Sequence, residues 1–254
     1  MIMEKVLAAA IPVLGDRTVE ELVIGISLIG VKLSDGSVGI SYVLRDRLPN
    51  GCSMFPKMMS ICGSPAVEIA KWCVTGENDI QRSVAAAVLS AGANVLDIPD
   101  DLPQEQSFGL DIHPDDMVGM VGYIRDVAQI LDKKCKFIAF DKGKELCGQK
   151  DWLTPMDQQA TLLPKCDIVV LSGSTTINGT IDELLEMCSN AREIIMVGPS
   201  TPMYAKGWEG TGVTALAGAL WNNEEKEEIF LRITHGAGVQ QIKEHMYRKL
   251  LPVK

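Results

Sequence analysis

Apolar positions along this chain follow two different rhythms, one before Asp97 and one after Asp116. In the first part, Leu22–Leu33 and Val38–Leu44 are rich in β-branched and apolar residues, with Ser34-Asp35-Gly36-Ser37 between them. An Asp-Gly pair between two apolar runs predicts a β-hairpin. An apolar run from Val6 to Gly15 precedes it. After it, Ser64 as N-cap and Pro65 at the first helical position introduce a helix over Ala66 to Cys73, and an alanine-rich stretch from Asp79 to Ala91 predicts a second. Helix, hairpin and helices predict a small α+β domain over residues 1–98.

The second part alternates short apolar runs with helical spacing. Asp116–Gly122, Lys136–Asp141, Cys166–Leu171, Glu193–Val197 and Val213–Ala219 read as strands. Tyr123–Lys133, Thr180–Cys188 and a closing Gly238–Leu250 read as helices. Strands alternating with helices predict parallel βαβ units, so residues 116–254 are expected to form a Rossmann-like, doubly wound α/β sheet. Between the two parts lie Pro99, Pro103 and Pro114 among clustered carboxylates. Prolines suppress regular structure and like charges repel, which predicts an exposed linker over residues 99–115 in preference to a metal-collecting acidic loop.

With 33 acidic against 24 basic side chains and a formal charge of −9 over 254 residues, a duplex nucleic-acid partner is not expected. No apolar run approaches the roughly 18–20 residues of a membrane span, so no membrane partner is expected either. Val6–Gly15 has the hydropathy of a signal-peptide core. It lacks a basic segment before it and a small-residue cleavage site after it, so export is not expected. The seven cysteines are scattered without paired spacing, which points to a reducing cytosol and a cytoplasmic location.

Ligands of open α/β sheets bind beyond the carboxyl ends of the strands, so the segments after each strand are the candidate sites. Gly119 and Gly122 lead from the first strand into a helix, and Asp141 ends the next, 22 positions beyond Gly119. That spacing copies a dinucleotide fingerprint with its ribose-binding acid. The G-x-x-G is incomplete, however, and a tight turn explains it equally well. The second segment holds Ser172, Gly173, Ser174, Thr175, Asn178 and Thr180. Thr180 and Glu183 have the spacing of a capping box, while the small and hydroxylated residues before them suit an anion near a helix start. The third segment is Gly198, Pro199, Ser200, Thr201 and Pro202, two prolines stiffening a loop with hydroxyls between them.

Cysteine and histidine form no C-x-x-C or H-E-x-x-H motif. Most cysteines read as small core residues, and His113 and His245 read as surface residues. His235, before Gly236-Ala237-Gly238, is the histidine singled out as a metal ligand or base.

In combination, Val118-Gly119-Met120-Val121-Gly122-Tyr123, the Thr-Ile-Asn-Gly-Thr segment ending at Thr180, and Val197-Gly198-Pro199-Ser200-Thr201-Pro202 resemble a bacterial and archaeal family labelled "putative heavy-metal chelatases". Gly39-Ile40-Ser41-Tyr42, Cys62-Gly63-Ser64-Pro65 and Ser83-Val84-Ala85 are similar to its amino-terminal region, so the resemblance spans nearly the whole chain. It implies an enolase-N-terminal-like domain followed by a Rossmann-like domain, with a site in the cleft between them. The cofactor it implies is a transition metal ion of open identity. Three readings follow: a protein binding a metal, or an anionic small molecule or metal chelate; an enzyme using NAD or S-adenosylmethionine on Gly119, Gly122 and Asp141; and a non-catalytic sensor or carrier. A homo-oligomer is compatible with each of them.

Overall fold

The computed structural model describes residues 1–45, 48, 60–100, 110–146, 148 and 152–254. Helix α1 (Ile2–Leu14) uses the first apolar run. Three antiparallel strands follow: β1 (Val19–Ile24), β2 (Leu28–Leu33) and β3 (Val38–Tyr42). The Asp-Gly turn joins β2 to β3 as expected. Leu22–Leu33, however, is two strands, because the chain reverses at Gly25. A Cβ there would stand 2.3 Å from the Ile233 carbonyl oxygen, so a side chain is excluded where another helix approaches. Helices α2 (Ala66–Ala70), α3 (Trp72–Thr75) and α4 (Asp79–Ala93) come next. Asn78 caps α4 by accepting from the Gln81 N–H at 3.0 Å. Ser64 does not cap α2. Its hydroxyl donates to the Ser60 carbonyl, and Pro65 takes the boundary position.

The second sheet contains β4 (Met117–Val121), β5 (Lys136–Phe140), β6 (Ile168–Ser172), β7 (Glu193–Val197), β8 (Ala215–Trp221) and β9 (Met246–Pro252), in the order β5-β4-β6-β7-β8-β9. Its helices are α5 (Arg125–Leu131), α6 (Lys142–Leu146), α7 (Gln159–Leu162), α8 (Ile181–Met187), α9 (Ala205–Trp208) and α10 (Lys226–Thr234). All neighbours are parallel except β8 and β9, which pair antiparallel from Ala215↔Pro252 to Trp221↔Met246. The expected closing helix is therefore two 3-10 turns and a strand. The edge of β8 offers a row of backbone partners for Met246–Pro252, and that tertiary pairing overrides the local apolar spacing.

Both faces of the larger sheet are covered, which is why its strands are nearly continuous apolar runs. Along β6, Ile168 and Val170 face α5 residues Val127, Ala128 and Leu131. Val169 and Leu171 join a cluster that includes α8 and also Met3, Leu14, Val31 and Ala87 from the first part of the chain. The small sheet is likewise sandwiched. Ile29, Val31 and Leu33 belong to the cluster shared with α4. Leu28, Val38 and Ile40 pack with Ile229, Phe230 and Ile233 of α10. Gly39 allows β3 and α4 to touch, since a Cβ would stand 2.1 Å from Ala87 O.

Of the expected linker, Pro99 accepts from the Leu250 N–H and Asp100 pairs with Lys249, so its first residues run beside β9. Residues 101–109 lie outside the described ones. Among the described residues, no helix is long and apolar enough to cross a membrane.

Candidate functional site

From β4 the chain moves outward to β5 and then returns across β4 to β6, so the sheet reverses direction between β4 and β6. At such a point the loops leaving the two strands diverge and open a crevice. A cleft of about 560 Å3 lies there, within the roughly 300–1,000 Å3 typical of small-molecule sites.

One wall is Gly122 and Tyr123 after β4, with Asp141 after β5. Gly122 has φ of 83°, and a Cβ on it would stand 2.6 Å from Ser172 Cβ. Glycine is thus needed both for the turn and for contact with the β6 loop. Ser172 and Ser174 form the next wall, their hydroxyls 2.9 Å apart, followed by Gly198 and Pro199 after β7. Tyr42, Val43 and Leu44 cover the cleft from the small sheet, and residues 238–248 close it from the carboxyl-terminal side.

Eleven of the fifteen sequence-predicted residues lie at the cleft, in two groups. Gly122, Asp141, Ser172, Ser174, Gly198 and Pro199 line the cleft. Gly173, Thr175, Ser200, Thr201 and Pro202 are buried behind it and hold its walls together. A Cβ at Gly173 would stand 2.5 Å from Thr201 N, so this glycine brings the β6 and β7 loops into contact. The Thr175 hydroxyl donates to Ser172 O at 2.8 Å, Ser200 Oγ accepts from the Tyr42 N–H at 3.0 Å, and Pro202 O accepts from Trp208 Nε1 at 3.0 Å.

The other four candidates neither line the cleft nor brace its walls. Gly119 lies inside β4, where a Cβ would stand 2.9 Å from Cys166 Sγ; its small size serves packing. Asn178 and Thr180 bond to each other, with Asn178 Oδ1 accepting from the Thr180 N–H and hydroxyl at 3.0 and 2.7 Å. The expected Thr180–Glu183 capping box does not form: Thr180 has a helical backbone, φ −89° and ψ −5°, where a capping residue is extended, so its hydroxyl is not aimed at the Glu183 N–H. His235 is exposed at the end of α10 and lines no part of the cleft. His245, expected at the surface, is 7% exposed, with Nδ1 2.6 Å from Glu225 Oε2. Its segment is a 3-10 turn leading into β9 and not a charged helix, which turns the ring inward.

Asp141 is the best-connected carboxylate of the site. Its Oδ2 accepts from the Tyr123 N–H at 2.8 Å and its Oδ1 from the Lys144 N–H at 2.9 Å. Asp126 accepts from Gln240 Nε2 at 3.4 Å, a bond joining α5 to the carboxyl-terminal wall. Lys243 and Arg248 bring positive charge to that wall. The Tyr42 phenol is an uncharged donor at neutral pH, and burial pushes it up to about 12, farther from ionisation. The resemblance ran through Tyr42, yet its place in the cleft was not legible. The misread closing helix likewise hid Lys243 and Arg248.

A soft-metal centre made of side chains does not fit this site. Among the described residues no histidine or cysteine lines the cleft, and no group of three or more His, Cys, Asp or Glu side chains is placed to hold a metal ion. Cys73, Cys166 and Cys188 are buried away from the cleft, and burial pushes the thiols of Cys73 and Cys188 up to about 12 and that of Cys166 up to about 11. Cys52 and Cys147 lie outside the described residues.

Two family models match the chain. One, DUF364, described as "Putative heavy-metal chelation", covers residues 106–252, and DUF4213, described in the same words, covers residues 7–93. A protein of unknown function from the DUF364 family of Pyrococcus horikoshii is similar in structure, with a TM-score of 0.81 and 20% identity over 100% of both chains. Another, from Desulfitobacterium hafniense DCB-2, has a TM-score of 0.80 and 21% identity over 98% of both. At those identities the likeness shows the fold. An uncharacterized protein of Methanocaldococcus jannaschii is 29% identical over 117 residues, which is 45% of this chain and 44% of that relative, so the match spans less than half of the relative's length.

Proposed function

This chain belongs to the DUF364 family, and from that premise we propose that its cleft binds an anionic organic ligand that carries or captures a transition metal, with the ligand itself supplying most of the coordination. The observation that carries this reading is a cleft of about 560 Å3 without a cluster of metal-ligating side chains among the described residues. Such a volume suits an organic molecule far better than a bare ion. Lys243 and Arg248 would attract the anionic groups, the Ser172 and Ser174 hydroxyls would accept or donate hydrogen bonds, and the neutral Tyr42 phenol would donate one.

The geometry favours this reading over a nucleotide cofactor. Of the expected dinucleotide fingerprint, Gly119 packs inside β4 against Cys166 and offers no backbone to a pyrophosphate, and Asp141 fixes the N–H groups of Tyr123 and Lys144.

Calorimetric titration with Fe, Co, Ni, Cu and Zn salts, each alone and with organic chelators, tests the proposal. Binding is expected with the chelates and not with the bare ions. Ser174→Trp, which fills the cleft, is expected to weaken it at least tenfold, about 1.4 kcal/mol. Equal affinity for a bare ion, or chelate binding untouched by Ser174→Trp in a folded variant, would overturn it.

A further inference from the structure

We infer that Tyr123, Trp152 and Lys144 form a ledge at the edge of the cleft on which a flat conjugated ring bearing an anionic group stacks. This inference rests on the proposed function and specifies the ligand class.

Three observations support it. The rings of Tyr123 and Trp152 lie 3.9 Å apart between centroids at an interplanar angle of 40°, and Tyr123 lines the cleft. Trp152 is 44% exposed, whereas Trp208 and Trp221 are fully buried at 0% and 2%. Trp72, half-buried, packs against the main apolar cluster, so Trp152 is the most exposed of the four tryptophans. Here two aromatic faces meet beside a small-molecule cavity, the setting in which rings orient flat ligands.

Lys144 adds the charge. Its Nζ lies 5.3 Å from the Tyr123 ring centroid and 5.5 Å from that of Trp152, and no described carboxylate lies within ion-pair distance of it. An ammonium held by ring faces keeps its charge available to an incoming anion.

Asp141 positions the ledge. One of its oxygens holds the backbone of Tyr123 and the other that of Lys144, so a single carboxylate sets both against the cleft. The Thr154 N–H bonds to Ala139 O at 2.8 Å and ties the segment after Trp152 to β5. Asp141, which the sequence suggested as a ribose ligand, is thus a positioning residue for the groups that meet the ring.

Two sources share this chemistry, a heteroaromatic carboxylate chelate and a nucleotide. The test uses three probes on the full chain: the Ni complex of pyridine-2,6-dicarboxylate, the Ni complex of nitrilotriacetate, which has no ring, and AMP. Calorimetry and tryptophan emission are read together. The flat chelate is expected to bind at least tenfold tighter than the ringless one and to quench emission. Trp152→Leu and Tyr123→Leu should each lose most of that preference, while Tyr123→Phe retains it. Equal affinity for the two chelates, or a preference unchanged in both Leu variants, would overturn the ledge while leaving the cleft proposal standing if Ser174→Trp still blocks binding. Stacking of AMP alone, lost in Trp152→Leu, would uphold the ledge and overturn the chelate reading. Failure of all three probes would overturn both.

Discussion

Asp116 shows how much one residue can hold in place. The Nη1 and Nη2 groups of Arg192 donate to its two carboxylate oxygens at 2.8 and 2.7 Å, and the His113 N–H donates at 2.6 Å. The guanidinium above all, helped by that N–H, holds the carboxyl down at about 2 against an ordinary 3.8. A carboxyl with a lowered folded value binds its proton more readily in the unfolded chain. Its contribution is therefore complete above about pH 4 and is lost as pH falls toward 2. Arg192 is 40% exposed, so screening limits the contribution to about 1 kcal/mol. Melting temperatures of the wild type and Asp116→Asn between pH 7 and 2 check this. The wild type should lead at neutral pH and converge with the variant near pH 2, whereas a constant gap would contradict the pairing.

At the scale of elements, the start of α8 discriminates between local pattern and observed bonding. The sequence pairs Thr180 with Glu183, yet Asn178 holds Thr180 and Glu183 is exposed. Asn178→Ala should therefore cost about 1 kcal/mol in denaturant unfolding, as loss of a helix-start side chain usually does. Glu183→Ala should stay within about 0.5 kcal/mol, as exposed substitutions do. Equal costs would mean that the capping box forms in solution. The same element scale explains β9. Its residues have no distinctive strand alternation, and they become a strand because β8 presents an unpaired edge beside them.

Over the whole molecule, the two parts of the chain share their main apolar cluster, in which Met3, Leu14, Val31 and Ala87 join Leu171, Met196 and Trp208. Polar links cross the same boundary: the Tyr204 hydroxyl donates to Leu89 O at 2.8 Å, Arg82 Nε to Ile177 O at 2.6 Å, and Lys226 pairs with Glu21. Separating the parts would expose that shared surface to water. Differential scanning calorimetry should accordingly show one endotherm, with calorimetric and van't Hoff enthalpies in agreement. Two resolved transitions would show that the parts fold independently.

The sequence by itself determined the α/β class, the Asp-Gly hairpin, the parallel core strands and the three strand-end loops, because apolar periodicity and turn residues act over a few neighbouring positions. It also marked Gly122, Asp141, Ser172, Ser174, Gly198 and Pro199, since short strands followed by small polar residues are legible locally. Tertiary structure alone decided that Gly119 packs on Cys166, that His245 is buried and His235 is not, and that the carboxyl-terminal segment is a strand carrying Arg248 into the cleft. Each of those outcomes depends on a partner far away in the chain, and spacing between neighbours carries no information about such a partner.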